Sequence, residues 1–472
     1  MKRFAISKLA LPMALLFALC ACTAADSGRT PAQTDAPSSA AGPVTGEDAS
    51  QASSGEQEVP VGSLHMVWAG SDVPSAAGGQ LYETASTYLY DPRCLTAVDL
   101  ETGVQQMLCT KTGCTHNSPD CEAWICEAGL SLAQCGAFAE DGKLYRVYAT
   151  DPHHGMGGVL LSGVEVSSLD GSNSTLLCED FVPNGSCIDI TWLADDRYLY
   201  ACIQSNPAVN EEGETRNQFT VERIPKTSGS TAELLYQWQS TRADNMAESL
   251  QVAGVSHGQL LVMLTEPPAE HTGSLAGDYA ASTTTLRVLD QETRTLGEPL
   301  DCWTGDGGDL SLRQIYDGLL WTIDGEGTLT ATDPITGDTV ENCPGLWPEE
   351  MEPRGIFGLY GRRLVVDGYD RAAGLEHRYV FDLDTGTMQR ELPATWYKEA
   401  NQPRLPSLMA DDGEHLMLKV EERPVTRTTV GQDGVVMEYP SSDSVYAVIP
   451  AEDYLDGSED WTTCTLLPDE EN

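Results

Sequence analysis

The tetrapeptide Gly142-Lys143-Leu144-Tyr145 represents a short pattern that occurs seven times along the chain. Each copy is a turn followed by Leu and a second large apolar residue, and some copies contain one additional residue. The other six copies are Gly79-Gln80-Leu81-Tyr82, Asp196-Arg197-Tyr198-Leu199-Tyr200, Gly258-Gln259-Leu260-Leu261, Gly318-Leu319-Leu320-Trp321, Gly361-Arg362-Arg363-Leu364-Val365 and Gly413-Glu414-His415-Leu416-Met417. A turn directly before an apolar segment indicates a hairpin that leads into a buried strand.

A second turn follows each copy. It consists of an apolar residue, then Asp or a substitute, then a turn that often ends in Thr-Gly. The complete examples are Asp99-Leu100-Glu101-Thr102-Gly103, Asp333-Pro334-Ile335-Thr336-Gly337 and Asp382-Leu383-Asp384-Thr385-Gly386, and degenerate examples lie at residues 167–171, 225–229, 290–294 and 449–450. In such turns the Asp and Thr side chains bind backbone amides, and Gly adopts a positive φ.

Two hairpin turns in each of seven modules are typical of a repeat fold in which every module is one small sheet. They predict an all-β architecture, a β-propeller with seven four-stranded blades. The alternative is six blades, if the weak last module pairs with residues 64–69 to close the ring. The predicted modules cover residues 62–110, 134–180, 188–238, 248–303, 310–345, 354–393 and 406–466.

Two kinds of apolar pattern follow the turns. Continuous apolar runs, as at residues 199–203 and 260–264, predict strands buried on both faces between neighbouring blades. The next strand alternates, as where Val380 separates Tyr379 from Phe381. Alternation with a period of two predicts one buried and one exposed face.

The composition is that of an acidic globular chain. Hydrophobic residues make up 41%, and 72 acidic residues against 27 basic ones give a net charge of −45. This charge excludes nucleic acid and anionic lipid surfaces as partners, because both would be repelled. It leaves neutral ligands, cationic peptides, metal ions and other proteins.

The N-terminus carries the pattern of an export signal. Met1-Lys2-Arg3 precedes an apolar run at residues 9–19, which is too short to span a bilayer. The run ends in Leu19-Cys20-Ala21-Cys22, which resembles the bacterial lipobox, and this resemblance implies that Cys22 is lipidated. An ordinary secretory signal cut nearby is the alternative. We therefore expect a lipid-anchored protein on the extracytoplasmic face of the cell membrane.

The predicted domain organisation has three parts. Residues 1–21 are a lipoprotein signal peptide, and residues 22–60 are the lipidated Cys and a disordered linker. The linker is rich in Ala, Ser, Thr, Gly and Pro and lacks the apolar residues that would offset its ordering entropy. Residues 61–472 form the propeller domain, which is interrupted by a Cys/His-containing insertion at residues 109–133.

The repeats resemble those of quinoprotein-type propellers. This likeness rests on Ala97-Val98-Asp99-Leu100-Glu101-Thr102-Gly103 and Ala331-Thr332-Asp333-Pro334-Ile335-Thr336-Gly337. A docking Trp follows four residues later in that family, and the corresponding residues here are Met107 and Glu341. The resemblance therefore implies the strand-turn-strand scaffold and no quinone cofactor.

A second resemblance covers most of the chain after residue 60. The lipobox, the linker and the repeats occur together with the motif Cys109-x4-Cys114-x-His116-x4-Cys121. This combination resembles uncharacterised surface lipoproteins of Gram-positive anaerobes, whose folds are similar to TolB-like propellers. It implies a fold and a location, and it brings no known activity.

The Cys/His motif is the strongest candidate for a site. Three thiolates and one imidazole are a sufficient tetrahedral set for zinc, and four protein ligands leave no open position, so the zinc would be structural. Cys114 and His116 lie two residues apart and would point to one side of an extended segment. Cys94, Cys126 and Cys135 offer disulfide partners, so zinc and disulfides remain alternatives.

Other candidates are weaker. They are His153-His154 as a metal-binding loop tip, residues 305–309 as a calcium loop, the turn pairs Asp195-Asp196 and Asp411-Asp412, and the aromatic residues Trp124, Trp347 and Trp396 as sugar platforms. The chain contains no nucleophile elbow, zinc-protease helix or phosphate-binding glycine loop, so catalytic residues are unknown and the sequence favours a non-enzyme.

The sequence thus favours a membrane-anchored propeller that binds an unknown protein or glycan. The alternative is an exported hydrolase or lyase, acting on glycans or peptides, with carboxylates gathered at the propeller mouth from different blades. Three or more carboxylates with an aromatic residue at one end of the central channel would favour the enzyme. A uniformly apolar or loop-plugged channel would favour the binding protein.

Overall fold

The structure of the protein is a computed structural model that describes most of the chain after residue 62. It covers residues 63–69, 75–77, 79–85, 93–116, 120–126, 132–150, 162–182, 186–206, 216–241, 248–304, 312–324, 327–344, 351–397, 402–430 and 436–467. The predicted signal peptide, Cys22 and the linker lie outside these residues. Within the described part, no helix has the length and apolar character needed to cross a membrane.

Seven antiparallel sheets of consecutive strands form seven blades, as the repeats predict. A strand that precedes them, β1, spans His65–Trp68. Blade 1 contains Ser75–Ala77 (β2), Gln80–Ala85 (β3), Arg93–Asp99 (β4) and Gln105–Met107 (β5), and Trp124–Cys126 (β6) also pairs with β4. Blade 2 contains Leu132–Glu140 (β7), Lys143–Thr150 (β8), Ser162–Ser167 (β9) and Thr175–Glu179 (β10). Blade 3 contains Ser186–Ala194 (β11), Tyr198–Asn206 (β12), Gln218–Pro225 (β13) and Glu233–Gln239 (β14).

The remaining blades follow the same order. Blade 4 contains Ser249–Ser256 (β15), Gln259–Glu266 (β16), helix α1 (Leu275–Ala280), Thr283–Asp290 (β17) and Thr295–Thr304 (β18). Blade 5 contains Arg313–Tyr316 (β19), Leu319–Ile323 (β20), Leu329–Thr332 (β21) and Thr339–Cys343 (β22). Blade 6 contains Met351–Tyr360 (β23), Arg363–Asp370 (β24), Leu375–Asp382 (β25) and Thr387–Glu391 (β26), and a hairpin of Thr395–Tyr397 (β27) and Gln402–Arg404 (β28) follows it. Blade 7 contains Ser407–Asp411 (β29), His415–Val430 (β30), Val436–Pro450 (β31), helix α2 (Ala451–Leu455) and Thr462–Thr463 (β32).

The cores lie between adjacent blades. Phe138 of blade 2 packs against Trp192 of blade 3 with ring centroids 5.6 Å apart. The third strands are buried more fully than alternation predicts, since Tyr379, Val380 and Phe381 are all buried. Tyr379 and Phe381 belong to the core shared with blade 5, whereas Val380 belongs to the core shared with blade 7. The expected exposed face of this strand is therefore wrong, because a neighbouring blade covers each side.

The ring closes by packing of blade 7 on blade 1. Leu81 and Val98 of blade 1 share a core with Met417 and Val448 of blade 7. Two backbone hydrogen bonds also join blade 1 to the C-terminal segment. The Thr465 carbonyl accepts from the Gln105 amide at 3.0 Å, and the Thr465 amide donates to the Gly103 carbonyl at 2.8 Å. All four strands of blade 7 come from the C-terminal part of the chain. The six-bladed alternative is wrong.

Strand β1 lies at the centre of the ring instead of closing it. It pairs antiparallel with β11, the first strand of blade 3, in a register that places His65 beside Ala194. The Trp68 ring packs so closely on blade 2 that a Cβ at Gly136 would lie 2.5 Å from it. Leu64 enters the core between blades 3 and 4. The chain itself therefore fills the channel beside blades 2 to 4.

The ring has two different faces. Antiparallel order puts the connections between first and second strands, and between third and fourth strands, on one face, which we call the turn face. The repeated Asp residues form these turns: Asp382 Oδ1 accepts from the amides of Asp384 (2.8 Å) and Thr385 (3.0 Å), and Gly386 follows at φ 63°. The opposite face, the loop face, carries the longer connections. Chain entry is at the turn face, because His65 pairs with Ala194 at the end of β11.

The connection between β16 and β17 contains a helix, since α1 lies within residues 267–282. Ser274 caps this helix by accepting from the Gly277 amide at 3.1 Å. Asp278 is buried and accepts from the Thr272 amide at 2.8 Å and from its hydroxyl at the same distance. These short-range bonds give the segment a fixed shape without a sheet partner.

Blade 7 extends beyond the ring as a two-stranded arm. We define the arm as residues 421–430 and 436–445, which pair with each other across β30 and β31. The outer strands of the blade pair only with the base, since β29 ends its pairing at Lys419 and β32 pairs with Ala447 and Val448. The arm continues the connection between second and third strands, so it projects from the loop face.

Candidate metal centre in a split strand of blade 1

The Cys/His motif lies in the fourth strand of blade 1, which is split into two pieces. Both β5 and β6 pair with β4, with Met107 opposite Thr96 and Trp124 opposite Cys94. Leu95 stands between the two pieces: its carbonyl accepts from the Leu108 amide at 3.1 Å, and its amide donates to the Ala123 carbonyl at 2.7 Å. The fourth strand therefore leaves the sheet after Met107 and returns at Trp124.

We call the excursion, residues 108–123, the Cys/His loop. It contains all four predicted ligands. The predicted insertion at residues 109–133 also contains a strand, because residues 124–126 complete the fourth strand of the blade. The two ends of the loop are thus fixed by one residue of β4, which brings its cysteines into a confined space.

The four ligand atoms converge. The Sγ atoms of Cys109, Cys114 and Cys121 and a ring nitrogen of His116 all lie within 4.8 Å of one another. The distance between His116 Nδ1 and Cys121 Sγ is 3.2 Å. In a tetrahedral zinc shell, bonds of about 2.0–2.3 Å put ligand atoms about 3.3–3.8 Å apart. The set fits a tetrahedral ion after small side-chain adjustments.

The thiols of Cys109 and Cys121 do not ionise independently. Burial raises the pKa of Cys109, but backbone hydrogen bonds from Lys111 and Glu122 and contacts with Cys114 and Cys121 outweigh it and lower the pKa. Burial raises the pKa of Cys121 to about 12, against a backbone hydrogen bond from Ala123. Ionisation of one thiol therefore hinders ionisation of the next. A divalent cation would allow all three to ionise together.

The backbone places His116 by a turn and not by an extended segment. His116 has a φ of 55°, a left-handed conformation that is uncommon for a residue other than Gly. Its carbonyl accepts a hydrogen bond from the Cys94 thiol at 3.3 Å, which fixes this end of the loop to β4. The argument that Cys114 and His116 share one side of a strand is wrong, although both ligands reach the same point.

Cross-links outside the cysteines shape the loop. The Glu122 carboxylate accepts from both the amide and the hydroxyl of Thr110 at 2.7 Å. Lys111 Nζ donates to the Asp120 carbonyl. The apolar cluster at the loop contains little besides the cysteines, with Cys94, Cys121 and Ala123 as its buried members. Such a cluster supplies little hydrophobic stabilisation to the loop.

Blade 2 supports the loop with one buried side chain. Arg146 of β8 is 3% exposed, and its Nη1 donates to the carbonyl of Glu122 at 2.5 Å. Its Nη2 donates to the Gly171 carbonyl at 3.4 Å. Gly171 touches the loop directly, since a Cβ there would lie 2.7 Å from the Leu108 carbonyl oxygen. Arg146 was not among the residues that the sequence singled out.

The other predicted site residues are distributed as follows. Residues 151–161, which include His153 and His154, lie outside the described part of the chain, as do residues 305–309 and Trp347. The backbones of Cys126, Cys135 and Trp396 are described without their side chains. Cys109, Cys114 and Cys121 are free thiols. Asp195 and Asp412 bind turn amides, as at Asp195 Oδ1 with the amides of Arg197 and Tyr198, both at 2.7 Å.

Polar side chains end several first strands at the turn face. Tyr316, Tyr360 and Asp411 end the first strands of blades 5, 6 and 7. Burial, followed by the Asp411 charge, raises the pKa of Tyr316 to about 12 and also raises that of Tyr360. Glu140 ends the first strand of blade 2, where its carboxylate lies 3.0 Å from His65 Nε2 of β1 and accepts a hydrogen bond from Lys226 at 2.8 Å.

No protein-family model matches the chain, and no curated protein matches it by sequence. Three solved structures are similar in fold. Dipeptidyl peptidase 4 of Porphyromonas gingivalis has a TM-score of 0.37 at 9% identity, over 79% of this chain and 49% of that one. The Dos1 propeller has a TM-score of 0.30 at 10% identity, over 75% and 93%. The tricorn protease has a TM-score of 0.25 at 10% identity, over 83% and 43%. The chain thus spans about half the length of the first of these proteins, and no activity is transferred from any of them.

Proposed function

We propose that this protein is a lipid-anchored, extracytoplasmic propeller that binds a protein partner and carries no catalytic site. The observation that carries the proposal is strand β1, which lies inside the ring beside blades 2 to 4. The enzyme alternative needs an open mouth with several carboxylates, and β1 occupies the space beside blades 2 to 4. Binding is therefore assigned to the outer surface of the ring.

The surface that best fits a partner is the arm of blade 7. Val436, Met437 and Tyr439 are among the exposed large apolar residues of the described chain, and all three lie near the arm tip. Exposed apolar residues concentrated on one projection are typical of contact surfaces. The net charge of −45 favours a partner with a basic surface, which it would attract over long range.

The anchor is proposed from Cys22 and the chain entry point. A lipid on Cys22, followed by residues 23–60 as a linker, would lead to β1, which enters at the turn face. Changing Cys22 to Ser should release the protein from membranes, measured by fractionation, whereas Cys20→Ser should leave it anchored. A membrane-bound Cys22→Ser protein would contradict the lipobox.

We also propose that the Cys/His loop binds a structural zinc ion. Cys109, Cys114, His116 and Cys121 would supply all four ligands, so the metal would have no open position and would add folding free energy to a loop with a minimal core. Bound zinc would hold the loop closed and has no step in a reaction. Metal analysis of the purified protein should give about one zinc per chain.

Partner binding is tested by capture with the full-length protein in detergent. A Met437→Ser, Tyr439→Ser variant should lose a partner that the wild type captures, because both side chains are exposed near the arm tip and belong to none of the cores between blades. Met388→Ser on blade 6 is the matched control, since Met388 is 41% exposed and lies on another blade. Capture should weaken as salt is raised.

The enzyme alternative predicts a different result. Release of sugars or amino acids from glycans or peptides by the wild type, abolished by Asp411→Asn, would replace binding by catalysis. Equal capture by the arm variant and the wild type would instead move the contact surface away from the arm.

A further inference from the structure

We propose that Arg146 is the buried counter-cation of the Cys/His centre and thereby sets its affinity for a divalent metal ion. The inference rests on the zinc site proposed above and deepens it. It assigns the charge of the loaded centre and names the residue that compensates it.

The charge of the loaded centre follows from its ligands. Three thiolates carry three negative charges, a neutral imidazole carries none, and a divalent ion carries two positive charges. Cys109, Cys114, Cys121 and His116 would therefore hold the ion as a complex with one net negative charge. A group of this kind in a partly buried loop is stabilised by one nearby positive charge.

Arg146 is a positive charge with no adequate partner of its own. Its side chain is almost fully buried, and the hydrogen bonds that it donates go to neutral carbonyls of Glu122, Trp124 and Gly171. The nearest carboxylate, Glu165, lies 3.8 Å from Nη2 and is 35% exposed. The Nε–H has no hydrogen-bond partner.

A buried guanidinium in this state is costly, since burial removes its water without supplying an opposite charge in contact. Burial lowers the pKa of Arg146, and the charges of Glu165, Cys121 and Glu122 oppose that effect. Cys121 is the ligand among these three residues. Arg146 holds the carbonyl of Glu122, the residue directly after the ligand Cys121, and that of Trp124, at the return of the loop to β4.

The charge of Arg146 also distinguishes a loop that binds a metal ion from a loop whose cysteines form disulfides. Paired cysteines would be neutral and would leave the Arg146 charge with Glu165 alone. Three thiolates around a divalent ion provide the missing negative charge. The buried Arg146 thus favours the metal-bound state of the loop, and removal of its charge should weaken metal binding while leaving the four ligands in place.

The test is an equilibrium competition for Zn²⁺ between the full-length protein in detergent and a chromophoric chelator. Arg146→Met keeps the length of the side chain without the charge, and it should weaken zinc binding by about tenfold or more, as expected for a group next to the ligands. Arg146→Lys keeps the charge and should recover most of the affinity. Glu165→Gln, the matched control, should bind zinc at least as tightly as the wild type.

Two further readouts keep the outcome clear. Because the pair is buried, the difference between wild type and Arg146→Met should persist in 1 M salt. Co²⁺ substitution should give the absorption of a tetrahedral sulfur-rich site in every variant, which shows that the ligands are intact. If Arg146→Met fails to fold, Arg146→Gln, which keeps hydrogen-bond donors without the charge, replaces it in the comparison with Arg146→Lys.

Equal affinity of Arg146→Met and wild type would overturn the proposal. Equal weakening by Arg146→Lys and Arg146→Met would also overturn it, because the hydrogen bonds and not the charge would then matter. A wild-type protein that binds no zinc, with the four ligands blocked as disulfides, would remove the metal site and this inference with it.

Discussion

Blades 1 and 7 are neighbours in the ring, and each departs from the four-stranded pattern in an opposite way. In blade 1 the fourth strand leaves the sheet and folds back, and a few side chains converge at its centre. In blade 7 the middle hairpin continues outward, and its two strands are connected by a long backbone ladder and by one ion pair between Arg427 and Asp443 at 2.7 Å. The Cys/His loop gains its order from side-chain convergence, and the arm gains its order from backbone pairing.

The two regions differ in how their backbone groups are satisfied. The Cys/His loop returns its ends to Leu95 of β4 and places its middle against Arg146 and Gly171 of the next blade. The arm presents both outer edges to solvent, and a two-stranded hairpin is only marginally stable in water. We therefore expect the order of the Cys/His loop to depend on each single ligand, whereas the arm should tolerate single substitutions on its faces.

The largest expected effect is the loss of one ligand. Cys121→Ser should abolish zinc binding and release the Cys/His loop, since structural zinc contributes on the order of 10 kcal/mol in isolated zinc-finger peptides. Hydrogen exchange should become fast at residues 108–123 and stay unchanged in the arm, because repeat modules mainly contact their neighbours. Cys302→Ser, at an exposed cysteine of blade 4, is the control and should change neither region.

Faster hydrogen exchange in the arm of Cys121→Ser would contradict this prediction. If exchange in the arm rose as much as in the loop, the two regions would share one stability, and the ring would not behave as a set of separate blades. Metal analysis and exchange should be done on the same samples, so that loss of zinc and loosening of the loop are matched.

The intermediate effect concerns the edges of the arm. Pro424 lies in β30 and Pro440 in β31, and the pairing continues through both without a register break. A proline has no N–H, so it fits an unbroken ladder where that group would point away from the partner strand. Each free edge of the arm thus lacks one donor, a device that hinders edge-to-edge association.

Pro424→Thr, Pro440→Thr should therefore make the protein self-associate without changing the ring. Sedimentation should show a concentration-dependent rise in mass for this variant and none for the wild type. The control is Pro403→Thr in β28, which lies outside the arm. If the double variant stayed monomeric, the prolines would not be what prevents edge-to-edge association of the arm. The twist or the charge of the arm would then prevent it.

The difference between the two regions also shows what the sequence could predict. The seven hairpin turns are local signals, and they located blades 2 to 7 to within a few residues. Blade 1 was placed less well, because the module predicted at residues 62–110 begins at Ser75 and ends at Cys126. The arm was not predicted, although it lies within the last module. The position of β1 was missed, because the apolar residues near Trp68 look like any repeat strand, and only the packing on Gly136 and β11 shows their place.

The candidate site was predictable only in its ligands. Cys109, Cys114, His116 and Cys121 were recognised by residue type and spacing, although the reasoning from an extended segment was wrong at His116. Arg146 had no sequence signal, because its acceptors are backbone carbonyls of another blade. A charged residue in the middle of an otherwise apolar strand, between Tyr145 and Val147, was the available hint.

The smallest expected effect lies in blade 3, away from both regions, and it tests whether they respond to a change elsewhere in the ring. Burial raises the pKa of Glu222 to about 7, and the charge of Glu233 adds to the effect. The folded protein thus holds this proton more tightly than the unfolded chain, whose carboxyl has an ordinary pKa of about 4.3. Stability is therefore lost as pH rises through that window, and the loss is complete above about pH 7.

Gln resembles the protonated carboxyl, so Glu222→Gln should raise the melting temperature by about 2 °C at pH 8 and leave it unchanged at pH 4. Glu438→Gln is the matched control, since Glu438 is exposed on the arm and should give no such difference. Cys178 of blade 2 senses the Glu222 charge across the blade boundary, so the change should act at that boundary. Zinc affinity and hydrogen exchange in the arm should be the same in the variant and the wild type at both pH values. If Glu222→Gln altered either, the Cys/His loop and the arm would be coupled through the ring, and their contrast would not be a local property of blades 1 and 7.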